Sequence, residues 1–209
     1  MGDRMLALHY LAARRVGPDE FADGCSCEVP DCPTLTEHPI SKHWLQAATA
    51  DLETLRFWWL HNPRANPGVV TGERFDVLAC DQATGRVALE LLGDRVGPVA
   101  WTGGGRLLVF VARSGLDAGL VHRVEGDPDR WVYRHGCGSY IPLPPAQHLS
   151  GRLAWWVYPA GLPLPDWAGV QPALVEAAGQ ARLRSRLLAA GARTGRVAVG
   201  LLATWKWQG

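Results

Sequence analysis

Long apolar runs are missing from this chain: no stretch reaches the roughly 18 uninterrupted apolar residues that a membrane-spanning helix needs. The N-terminus carries Asp3 and is broken by His9, Arg14 and Arg15, so it lacks the apolar segment of a secretory leader. A cytoplasmic protein without a membrane partner is expected. Charge of one sign is also scarce, because 21 basic residues against 20 acidic ones leave a formal net charge of +1. That balance argues against a grip on long nucleic acid through many phosphates, although it leaves a local basic groove open. A Gly-x-Ser-x-Gly elbow is absent, and neither Cys80 nor Cys137 has an identifiable base partner, so a nucleophilic triad is not suggested. Internal repeats are absent too.

What is present is the composition of a folded protein: 47% hydrophobic, 9% aromatic and 20% charged residues over 209 positions, enough for one sizeable core. The chain changes character after Tyr158. Residues 1–158 read as one domain, and 159–209 as a helical, Trp-containing extension packed on it.

Five cysteines are an odd number, and three of them, Cys25, Cys27 and Cys32, crowd into a Pro-rich loop over 24–39 that also holds His38. Three thiolates and one imidazole make a tetrahedral zinc set on a loop too polar to hold itself by packing, with His43 as a spare ligand. Reduced free thiols are the competing reading, and a disulfide fits a cytosolic protein least. With four protein ligands the metal would be structural.

Met5, Leu8, Leu11 and Ala12 stand at helical spacing and predict an opening helix over 4–15. A second helix is predicted from an N-cap at Thr49, with Leu52, Leu55 and Trp59 on one face, to the stop at Asn62-Pro63. Apolar runs punctuated by glycine predict strands at 68–72, 75–80, 98–102, 106–112, 140–143 and 153–158, and a helix over 87–92. Ala173 to Leu188 predicts a basic helix with Leu174, Ala177, Ala178, Ala181 and Leu188 as its apolar stripe. These elements make an α+β domain with a mixed or antiparallel sheet flanked by helices. Gly103-Gly104-Gly105-Arg106 reads either as hairpin turn chemistry or as a phosphate cradle. The ten tryptophans suit core and interface better than a base-stacking platform.

In order along the chain stand the Cys-rich loop ending in His38-Pro39, Ala48 to Asp51 through Trp58-Trp59, and Asn62 to Gly68 continuing to Thr71-Gly72. Val77 to Asp81, Gly104-Gly105-Arg106 with Phe110, and Tyr140, Pro144-Pro145, His148, Gly151 and Trp156 follow. This ordered set, from about Ala7 to Trp156, resembles the primase-polymerase domain of plasmid and phage replication proteins, a branch of the archaeo-eukaryotic primase superfamily. The resemblance implies a mixed sheet bearing a two-metal nucleotidyl-transfer site, with an Asp-x-Asp pair at a strand end, a histidine after the glycine pair and a third acid on a later strand.

At those positions this chain reads Ala79-Cys80-Asp81, Leu107, and Arg130 to Arg134 without an acid. The serine implied after the two prolines is Ala146, and a tyrosine near the end is Ala154. Asp81, Arg106 and His148 survive from the polar site. Asp81 is either a helix N-cap or a ligand contact, and His148 either steadies the proline loop or meets a phosphate. No magnesium or manganese pair is expected. The expectation is a catalytically inactive, primase-polymerase-like binding or regulatory module that holds a nucleotide or nucleic acid weakly through Gly104, Gly105, Arg106 and His148. A weakly active primase/polymerase is one alternative. The other is a protein-interaction or self-associating role centred on Trp205 and Trp207.

Overall fold

The computed structural model describes residues 2–193 apart from 16, 103, 104 and 150. Gly104, Val197 to Leu202, Trp205 and Trp207 therefore lie outside the described residues.

The expected opening helix is instead two strands, β1 (Met5–Leu8) and β2 (Leu11–Arg15). Leu6 and Leu8 are the buried residues of β1, a period of two, and Leu8 pairs with Asn66 while Met5 pairs with Val69. So short an apolar pattern fits either period, and the distant pairing partner decides it. β2 folds back on β3 (Phe21–Cys25) in an exposed hairpin, so Cys25 closes a strand and does not float in a loop.

A short helix α1 (Trp44–Ala47) leads to α2 (Leu52–His61). The N-cap of α2 is Asp51, not Thr49: the Asp51 Oδ2 accepts from the Thr54 N–H at 2.8 Å, while the Thr49 hydroxyl accepts from the Asp51 N–H. No residue of α2 is fully buried: Leu55 and Trp59 of the expected face are half-buried, with the Trp59 indole N–H donating to Ala65 O at 2.9 Å, while Leu52 is 67% exposed.

Strands β4 (Asn66–Thr71) and β5 (Phe75–Asp81) follow, and α3 (Gln82–Leu92) starts five residues earlier than its apolar run suggested. β6 (Val99–Thr102) and β7 (Arg106–Ala112) form the expected pair. β8 (Gly119–Arg123) and β9 (Trp131–His135) form a hairpin, then β10 (Ser139–Pro142) precedes a cis Pro144-Pro145 bond. Two short strands, β11 (Gln147–His148) and β12 (Gly151–Arg152), pair with each other before β13 (Ala154–Val157) and α4 (Trp167–Arg193).

A six-stranded antiparallel sheet runs β13-β6-β7-β5-β9-β8, and a three-stranded antiparallel sheet runs β1-β4-β10. The architecture is α+β. On one face of the large sheet Leu78, Cys80, Leu107 and Val109 pack against Val87 and Ala88 of α3 and Val170, Leu174, Ala177 and Ala181 of α4. Leu188 departs from the expected stripe and is 74% exposed. On the other face Val77, Ala79, Leu108 and Phe110 meet Val69 and Ile141 of the small sheet. Beyond the small sheet Leu6, Leu8 and Val70 pack with Ala48, Trp44 and Tyr140.

Close approach dictates glycine at positions that include Gly72 and Gly85. A Cβ on Gly72, which holds φ +82°, would fall 2.3 Å from the Cys137 backbone, and one on Gly85 would fall 2.6 Å from the Leu107 side chain. The second contact seats α3 directly on β7.

Candidate functional site

Strand alternation puts Phe75, Val77 and Ala79 on the face of β5 turned toward the small sheet, and Leu78 and Cys80 toward the helices. Ala79 is fully buried, opposite Leu108 on β7 and Tyr133 on β9. Burial also pushes the Cys80 thiol well up, so it is a neutral core group and not a nucleophile.

Asp81 ends β5 and caps α3. Its Oδ1 accepts from the Ala83 N–H at 3.0 Å and the Thr84 N–H at 3.1 Å, and its Oδ2 from the Thr84 hydroxyl at 2.5 Å. Arg130 Nη1 lies 3.3 Å from Oδ1. Both carboxylate oxygens are thus engaged in holding a helix start and an ion pair.

Arg106 opposes Asp81 across the sheet, and its N–H donates to the Thr102 hydroxyl at 3.0 Å. Its guanidinium pairs with the Glu37 carboxylate, a residue the sequence reading did not single out. Glu37 is anchored by its own backbone, since its N–H donates to Thr34 O at 2.7 Å and its carbonyl accepts from the Tyr140 hydroxyl at 3.1 Å. Burial, then the Glu37 charge, raises the Tyr140 phenol above its usual range. Leu107, at the position of the implied histidine, faces α3 and not the cleft.

Another strand contributes a histidine that feels the Arg106 charge. His135 on β9 meets Ser139 Oγ at 3.1 Å and Tyr133 ring to ring at 4.9 Å. Burial, and next the Arg106 charge, push it down to about 4, so it is neutral near pH 7.

His148 lies on β11, which is tied to β4: Asn66 Oδ1 accepts from the Gln147 N–H at 2.8 Å, and Asn66 Nδ2 donates to Gln147 O at 2.8 Å and His9 O at 3.0 Å. Thr36, Glu37, Thr102 and His148 line a cavity of about 10 Å³, room for about one water. The three surviving polar residues are thus divided. His148 and the Arg106 partner Glu37 share one cavity wall, and Asp81 is turned to α3 and Arg130. Gly105 holds φ +87° in the turn before Arg106, as turn chemistry requires.

Among the described residues Cys25, Cys27, Cys32 and His38 form a cluster whose ligand atoms all lie within 4.8 Å of one another. His38 Nε2 is 3.2 Å from Cys25 Sγ and 3.3 Å from Cys32 Sγ. Bonds of about 2.3 Å to sulfur and about 2.0 Å to nitrogen give a tetrahedral S···N edge of roughly 3.5 Å, so the four atoms are close enough to hold a metal ion of zinc's size. Glu28, Asp31 and Thr36 all take positive φ (62°, 52° and 68°), a costly backbone for non-glycine residues. His38 also stacks on His9, with ring centroids 4.3 Å apart, and its carbonyl accepts from the His9 N–H. The spare candidate, His43, is not in the cluster.

Residues 20–167 match the family described as bifunctional DNA primase/polymerase, N-terminal. The chain belongs to this family. The matched span covers the metal-ligand cluster and the whole six-stranded sheet, ending at the first residue of α4. A comparison with curated proteins finds no match. Membership ties this chain to the primase/polymerase class and to DNA replication, and it makes nucleotides and nucleic acid the natural ligands to test. Within this primase-polymerase member, the strand end that the resemblance implies should carry paired acids carries Ala79 and a committed Asp81, with Tyr133 facing Ala79 from β9. No helix of the described residues is long and apolar enough to cross a membrane.

Proposed function

We propose that this primase-polymerase protein is a binding module that does not catalyse nucleotidyl transfer. In this reading its cleft takes a nucleotide or a nucleic-acid end through Arg106, His148 and the glycine turn at Gly104-Gly105, and structural zinc staples the loop of Cys25, Cys27, Cys32 and His38. One observation carries the reading: at the strand end where two-metal chemistry needs clustered carboxylates, a sealed alanine and a helix-capping aspartate stand instead. A buried methyl coordinates nothing, and Asp81, already holding α3 and Arg130, leaves the strand end without the second acid of a pair.

Affinity should be local. Titration of short and long single strands at low and high salt is expected to give similar constants for both lengths and a log–log salt slope of about −1, the value for one or two neutralised phosphates. Arg106→Ala should abolish binding. Affinity that climbs with strand length and falls steeply with salt would contradict a local site.

A protein-interaction role is the second reading, supported by the open face of α2. Leu52, Phe57 and Leu60 are 67%, 60% and 79% exposed, beside a cavity of about 310 Å³ walled by Trp44, Phe57 and Trp58. A protein that binds no nucleotide or strand and loses self-association when Trp205 and Trp207 are truncated would favour it.

A further inference from the structure

The partner of Arg106 comes from 69 residues away in the sequence, on the loop that carries the metal-ligand cluster. Glu37 is the residue immediately before His38, so any metal that fixes the imidazole also fixes the backbone from which the Glu37 carboxylate reaches Arg106. Two further bonds aim it: the Glu37 N–H to Thr34 O and the Tyr140 hydroxyl to Glu37 O.

We propose that Glu37 is a built-in occupant of an anion site on Arg106, and that the Cys25, Cys27, Cys32 and His38 loop, when metal-bound, keeps that site covered. The inference rests on the reading above that Arg106 meets a phosphate, and it names how that contact is regulated.

The surroundings of the pair are those of an anion subsite. The Arg106 N–H is held by the Thr102 hydroxyl and the Tyr140 hydroxyl holds the Glu37 carbonyl, so the carboxylate of Glu37 is the negative charge seated on the guanidinium. A phosphate oxygen has the same charge sign and the same acceptor geometry as a carboxylate oxygen, so the two compete for one donor fork. The cavity of about 10 Å³ beside the pair is too small for a phosphate while Glu37 lines it.

The loop is also poised to move away. Thr36 lines the same cavity with φ +68°, and its hydroxyl oxygen is buried without a hydrogen-bond partner. A strained backbone residue with an unpaired polar atom persists only where its neighbours hold it. Here the neighbours are Glu37, paired to Arg106, and the ligand His38. Loss of the metal removes the tether on one side, and Thr36 can then relax and draw Glu37 off Arg106. Apparent anion affinity follows the fraction of molecules in which the site is open. The metal sets that fraction.

The test is calorimetric titration of dATP into four metal-loaded proteins: wild type, Glu37→Ala, Glu37→Gln and Glu37→Ala/Arg106→Ala. Glu37→Ala should bind about tenfold more tightly than wild type, a change of about 1.4 kcal/mol. Glu37→Gln, which keeps the shape and removes the charge, should gain affinity in the same direction, and the double variant, without Arg106, should not bind. Chelating the metal from wild type should reproduce the tightening, and chelating it from Glu37→Ala should add nothing. Equal affinities for wild type and Glu37→Ala, a gain that survives without Arg106, or no dATP binding by any of the four would overturn the proposal. Catalysis is a separate readout. A wild type that polymerises but shows this gating overturns only the non-catalytic reading, and an inert protein without gating overturns only the gate.

Discussion

Cys27→Ser should lower the melting temperature by roughly 4–8 °C, while Cys137→Ser should leave it nearly unchanged. The two cysteines are matched in exposure, both half-buried, so loss of packing alone affects them similarly. They differ in what surrounds the sulfur. Cys27 is in the four-atom cluster, and Cys137 has only a weak contact at 3.6 Å to Gly72 O. Removing one ligand from a closed zinc site forfeits part of a large binding free energy, and a loss of about 2 kcal/mol corresponds to that shift in a chain of this size. Purified protein should carry about one equivalent of zinc, measured by elemental analysis and thermal melting of the same sample. Metal-free protein in which the two serine variants melt alike would remove the zinc from the account.

Asp81→Ala should destabilise the fold by about 2–4 kcal/mol, far more than a strand-end substitution ordinarily does. The loss has two sources. The N-cap of α3 contributes about 1 kcal/mol, and the Arg130 guanidinium, whose side chain is only 18% exposed, is left without its carboxylate. Asp81→Asn keeps the cap and should recover part of the loss, because an asparagine oxygen still accepts from the Ala83 and Thr84 N–H groups. Urea unfolding of the three proteins measures the differences. A change below about 0.5 kcal/mol for Asp81→Ala would show that the carboxylate is not committed to structure.

The parts of this fold legible in the sequence are those whose pattern has one period. Val77 to Cys80 and Leu107 to Ala112 are continuous apolar runs long enough for buried strands and too short for helices, and they lie at the centre of the sheet. Residues 4–15 mislead because Met5, Leu8 and Leu11 suit a helix, while the pairing of Met5–Leu8 with β4, 58 to 64 residues on, is invisible locally. The cysteine and histidine cluster was legible from ligand chemistry, since three thiols and an imidazole within fourteen positions have few other uses.

The cleft was less legible. Nothing local marks Glu37, whose role depends on a contact with Arg106, and nothing local marks His135, whose place in the sheet depends on the pairing of β9 with β5. The alternation of Trp131, Tyr133 and His135 was the available signal for β9. The readings of Asp81 stood open in the sequence. The structure gives it the geometry of an N-cap, through hydrogen bonds to Ala83 and Thr84 that only the start of α3 provides.

We propose that this member of the primase-polymerase family binds without catalysing nucleotidyl transfer. Primer extension and de novo priming, each with magnesium and with manganese, test it most directly. Wild type should show no incorporation in either assay with either metal. Clear incorporation by wild type that disappears in a folded Asp81→Asn protein would contradict it.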